Sequence, residues 1–213
     1  GVYTMEPPEL YAVSPFARVD ANSSPSDLER AVNAFKARQH PNQAGWSQCG
    51  IQAARLRLPN AVDVIMDHAR RQQKYPYGGW NNVAVPLKGS RLGVSDVPYF
   101  DSAGVNMTAL QEALLQSHRL STAEACDLLS GGPIVVVPAV RRDWAGRFRL
   151  RARGGFLVAV AFQPGPRVER IAVEAERDGT LRLANPFAVC QATRNGQALP
   201  PNRDAVLVFP AAK

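Results

Sequence analysis

Two hydrophobic periods divide the chain. Through roughly the first 130 residues apolar positions recur at three and four, the spacing of one helix face. In "SPSDLERAVNAFKARQ" the stripe is Leu28, Val32 and Phe35, and Ser26 with Glu29 predicts a capping box at its start. "GWSQCGIQAARLRL" carries Trp46, Ile51, Ala54 and Leu58 on one broad face. "PNAVDVIMDHARRQQK" opens on Pro59-Asn60, a helix start signal, and turns Val62, Ile65 and Met66 inward. A further stripe, Val105, Ala109, Leu110, Ala113 and Leu114, predicts a helix beginning near Ser102 to Gly104. A short capped helix, "STAEACDLLSGG", follows it.

From Pro133 the period becomes two. "PIVVVPAV" is β-branched, and "GRFRLRARGG" sets Arg147, Arg149, Arg151 and Arg153 against Phe148, Leu150 and Ala152. "FLVAVAFQPGPRVERIAVEAE" predicts two strands joined through Pro164-Gly165-Pro166, and "DGTLRLAN" and "DAVLVFP" add two more. Helices followed by strands predict an α+β chain of two domains. Residues 1–132 form the helical one and 133–213 an antiparallel β-sandwich. The arginine ladder is expected to be a solvated face.

Between the third and fourth helices lies a long segment, "YPYGGWNNVAVPLKGSRLGVSDVP", rich in Gly, Pro and Asn. Loops of this length in compact domains are often functional. Tyr75, Tyr77 and Trp80 beside Asn81 and Asn82 suit a saccharide: pyranose faces pack on rings and amides bond hydroxyls. The competing expectation is a surface loop whose aromatics pin it to the core.

Composition changes the picture little. The net charge is +7, from 25 basic residues and 18 acidic ones. The arginines are scattered, and no basic run interleaves with aromatics, so a nucleic-acid partner is not expected. No apolar run reaches about 18 residues, so no membrane-spanning helix is expected. Cys49, Cys126 and Cys190 lie far apart, and His40, His68 and His118 show no ligand spacing. Neither a metal nor a cofactor is expected.

One carboxylate stands out. Asp101, after Tyr99-Phe100, precedes the fourth helical stripe, where it is either a cap or a group aimed into a site. Several pieces resemble, in order, the end of the (α/α)6 barrel and the start of the C-terminal β-domain of glycoside hydrolase family 95, the inverting 1,2-α-L-fucosidases. They are "ELYAVSP", "AGWSQCGIQAARLRLPNA", "FDSAGVNMTALQEALLQSH" and "VVVPAVRRDWAGRFRLRARGGFLVAVAF". Together they span roughly residues 9 to 185. Asp101 and Glu112 keep the eleven-residue separation of the family's helix. Gly45-Trp46-Ser47 and Arg55 also match family positions.

The resemblance implies an inverting glycosidase acting on terminal α-linked sugars of oligosaccharides, without a cofactor. In such enzymes an acid and a base lie about 6.5–9.5 Å apart across the scissile bond. It implies that the acid is a Glu earlier in the barrel, and that an Asn amide polarised by the Asp matching Asp101 activates water. Asp101 is then the catalytic candidate of this chain; Trp46, Tyr77, Trp80, Asn81, Asn82 and Asn106 are substrate-binding candidates. The family's Gly-Asn-Phe-Gly becomes Ser102-Ala103-Gly104-Val105, and Asn106 lies three residues beyond the family's Asn. The sugar is therefore open.

A full barrel needs on the order of 300 residues. The chain is accordingly expected to be the C-terminal part of such an enzyme, inactive alone, its open helical arc covered by the N-terminal part or a second copy. A periplasmic or extracellular location follows from the same resemblance. The alternative expectation is a non-catalytic carbohydrate-binding or interaction module.

Overall fold

A computed structural model describes residues 7–38, 47–71, 100–118, 132–187, 189–200 and 202–211. The chain is mixed α+β, with helices before antiparallel strands, and forms two compact units, Gly1–Leu114 and Leu115–Lys213. The expected boundary at 132 adjoins residues 119–131, which lie outside the described residues, as does the capped helix expected there.

In the first unit a 3₁₀ turn, Pro8–Leu10, precedes α1 (Pro25–Ala37), α2 (Cys49–Arg55), α3 (Pro59–Arg71) and α4 (Phe100–Leu114). The N-cap of α1 is Ser24, whose Oγ accepts from the Asp27 backbone N–H. The cap thus falls two residues ahead of the expected Ser26. Pro25 decides this: its fixed φ suits the first helical position, where no N–H is needed. Ala31 and Phe35 are the buried residues of that helix.

Helix α2 is the centre of the unit. All seven of its residues are buried, and it packs on both α3 and α4. A helix apolar on one face alone could not take that position; "CGIQAAR" can, because small residues surround Ile51 and two polar side chains find partners. It ends in a Schellman arrangement, with Leu58 N donating to Ala53 O (2.9 Å) and Arg57 N to Ala54 O (3.0 Å). Arg57 takes the left-handed position usually held by glycine, at φ 53°. Pro59 then starts α3.

The second unit contains nine strands in the described residues: β1 (Leu115–Gln116), β2 (Val135–Val136), β3 (Gly146–Ala152), β4 (Phe156–Gln163), β5 (Arg167–Ala175), β6 (Gly179–Ala184), β7 (Thr193–Arg194), β8 (Gln197–Ala198) and β9 (Val206–Ala211). They form antiparallel sheets β1–β2, β3–β4–β5, β6–β9 and β7–β8. Ile134 links to β6 by a parallel bridge to Leu183, both residues buried.

The β3–β4–β5 meander carries the period-two signal. Phe156, Val158, Val160 and Phe162 of β4 are buried, while Leu157, Ala159, Ala161 and Gln163 on the opposite face are half-buried. The turns are set by Gly154 (φ 90°), Gly155 (φ 78°) and Gly165 (φ 83°), angles that L side chains resist. A bulge interrupts the β4–β5 register: Ala161 opposes Arg170 and Phe162 opposes Val168, so Glu169 is the extra residue.

Candidate functional site

The polar groups of the first unit gather on α2 and α4. Arg55, at the end of α2, donates from Nε (3.2 Å) and Nη2 (2.9 Å) to one oxygen of Glu112 on α4, and from Nη1 to the Val13 carbonyl at 2.9 Å. Both side chains are nearly buried, at 11% and 10% exposure. One turn earlier on α2, Gln52 is wholly buried. Its amide N–H reaches the Ser14 carbonyl at 3.4 Å, while its Oε1 has no partner among the described residues. Ser14 in turn donates from Oγ to Gln48 Oε1 at 2.6 Å. Ser47, also buried, donates to the Cys49 sulfur at 3.1 Å.

Asn106 is the most exceptional of these groups. It is 1% exposed, and neither its Oδ1 nor its Nδ2 has a hydrogen-bond partner among the described residues. Buried amides are paired in the great majority of proteins, and an orphaned one costs about 1–3 kcal/mol. Asn106 therefore holds two donor sites and an acceptor oxygen unspent in the interior of the unit.

Asp101 lies in the first turn of α4, which begins at Phe100, ahead of the expected start at Ser102 to Gly104. A carboxylate in a first turn complements the positive end of the helix dipole. At Asp101 the backbone alone is described. Its Cα falls within about 20° of the Glu112 meridian after three turns, roughly 16 Å along the axis. Glu112 is buried against Arg55 of α2. Asn106, five residues on, lies about 140° round the helix from Asp101; it shares the buried side of α4 with Ala109, Glu112 and Ala113, and the opposite side is exposed at Met107, at 67%.

Trp46, Tyr77, Trp80, Asn81 and Asn82 lie outside the described residues, so among the sequence-derived candidates the structure brings Asp101 and Asn106 onto one helix. Residues that sequence reasoning missed are Ser14, Gln48 and Gln52; the available signal was a lone Gln in the middle of "CGIQAAR". The sequence marks out Arg55 and Glu112 singly, but not as a pair.

Among the described residues no group of three His, Cys, Asp or Glu could hold a metal. No described helix is long and apolar enough to cross a membrane. Cys49 and Cys190 are both buried, and burial pushes the Cys190 thiol up from its ordinary value.

The fold and the site define a mixed α+β chain whose helical unit encloses a polar cluster. No protein-family model matches the sequence, and no curated protein is significantly similar to it.

Proposed function

We propose that this chain is the C-terminal part of an inverting, α-L-fucosidase-like glycoside hydrolase acting on terminal α-linked sugars of oligosaccharides. Its helices would be the closing arc of an (α/α)6 barrel and its strands a β-sandwich. Asp101 would polarise the amide that activates water, Asn106 would bond substrate, and the aromatic stretch 75–82 would hold the sugar. The general acid would come from outside these residues.

The observation that carries the reading is Asn106, a buried amide with both of its polar atoms unspent, five residues beyond Asp101 on a helix clamped by Arg55 and Glu112. A helix so anchored can hold polar groups at fixed positions, which catalytic geometry demands.

The test is to express the whole coding frame and assay release of fucose and other terminal α-linked sugars, with Asp101→Asn beside the wild type. Inversion at the anomeric carbon, and a loss of turnover of about 100-fold or more in Asp101→Asn with substrate affinity retained, are expected. Equal turnover in the two proteins would remove Asp101 from the mechanism.

A further inference from the structure

We infer that the outer face of the β3–β4–β5 sheet carries a carboxylate seat between Arg147 and Arg170, which fits a carboxylate-bearing polysaccharide.

The argument is one of register. Three rungs cross this face: Arg151, Leu157 and Glu174; Arg149, Ala159 and Ala172; Arg147, Ala161 and Arg170. On the first two rungs each β3 arginine crosses the central strand and grips a carboxylate two residues beyond its own rung. Arg151 reaches Glu176 at 2.5 Å and Arg149 reaches Glu174 at 2.6 Å. The outer β strands lie about 10 Å apart, and the short side chain of Ala159 leaves room for that reach.

The third rung breaks the pattern. Two residues beyond Arg170 stands Ala172, with a methyl where a third carboxylate would complete the series. Arg170 itself adds a second guanidinium, and Arg167 a third on the same face beside Gln163. All three arginines are exposed, and among the described residues none is paired with a carboxylate. Glu169, at the bulge, accepts from the Gln163 amide at 3.3 Å. One end of the face is thus internally neutralised, and the other presents planar forks suited to an oxyanion.

The chemistry selects the occupant. On the two completed rungs arginines already pair with carboxylates of this chain. None of the described strand residues on the face is aromatic, so these strands offer no platform for nucleic-acid bases. The central strand offers only the small or aliphatic side chains Leu157, Ala159 and Ala161 between the arginines. A saccharide chain with repeating carboxylates needs no base-stacking platform. The choice of a saccharide rests on the glycosidase reading; the carboxylate seat does not.

The test is fluorescence anisotropy with a labelled oligogalacturonate at low salt, using oligoglutamate of equal charge and duplex DNA as competitors. Ala172→Glu supplies the missing carboxylate from within. It should weaken binding by about tenfold while leaving the melting temperature unchanged or higher. The double variant Arg147→Ser/Arg170→Ser should lose a similar factor, and Arg194→Ser, on the separate β7–β8 hairpin, none. Absence of oligogalacturonate binding, wild-type binding by a folded Ala172→Glu, or tighter binding of oligoglutamate or DNA would each overturn the inference. Hydrolysis is not read, so an inert Asp101 would leave this result standing.

Discussion

Arg55 and Glu112 are joined by two hydrogen bonds that end on a single carboxylate oxygen, at 2.9 and 3.2 Å, while the third donor of Arg55 is held by the Val13 carbonyl. One side chain thereby ties together the end of α2, the last turn of α4 and the segment before α1. Desolvating both charges is costly, and the geometry offsets that cost only while both partners are present.

Removing one partner should therefore be far worse than removing both. Arg55→Met or Glu112→Leu alone should cost about 3–5 kcal/mol, because each leaves a buried charge without its counterpart. The double variant should lose much less than the sum. Urea unfolding of the four proteins gives the coupling energy directly; additive losses would mean that the pair is not a unit.

Gly104 lies within α4, and a Cβ built on it would meet nothing within 4 Å. Its backbone is helical, so alanine needs no change of conformation. Gly104→Ala should raise stability by about 0.5–1 kcal/mol through the entropy of the unfolded chain. Thermal melting checks it, and a fall in Tm would show that the space beside Gly104 is not open.

Much of this fold was legible in the sequence. The period-two run "FLVAVAF" became β4 with strict alternation, and Pro164-Gly165-Pro166 became its turn. What escaped has physical causes. The two-residue strand β1 continues an apolar helical stripe, and no composition change separates Leu114 from Leu115. The β7–β8 hairpin did carry a signal, Asn195-Gly196, both at positive φ, a turn pair that favours hairpins. Its strands are too short and exposed to show alternation. In the site, Arg55 and Glu112 could each be noticed, but their pairing across 57 positions is a tertiary fact. The burial of Gln52 likewise depends on α2 being covered on every side.

The glycines of the β3–β4–β5 turns make a matched comparison. Both Gly155 and Gly165 have positive φ, at 78° and 83°. A Cβ on Gly165 would meet nothing, whereas one on Gly155 would lie 2.7 Å from Cγ and Nε of Arg177. That Nε donates to the Gly154 carbonyl at 3.1 Å, so the side chain cannot swing aside without losing a bond. Gly165→Ala should cost about 1–2 kcal/mol from the left-handed conformation alone. Gly155→Ala should cost about 1 kcal/mol more. Equal losses in denaturant titrations would show that Arg177 yields freely.

Asn106 separates stability from function most sharply. As a buried amide without a partner among the described residues it burdens the fold, and leucine, though larger, has its branching and its number of heavy atoms without its polar atoms. Asn106→Leu should therefore raise stability by about 1–2 kcal/mol, since it removes an uncompensated desolvation cost. A residue kept only for packing would be improved by that change in every respect. A residue kept for a ligand would gain stability and lose binding, the trade seen where a site is held at the expense of the fold. Measuring the melting temperature and saccharide affinity of the same variant within the full-length protein distinguishes the two. The expected result is a higher Tm with affinity weakened by about tenfold or more. A lower Tm would mean that the amide is satisfied after all, and a higher Tm with unchanged affinity would take Asn106 out of the site.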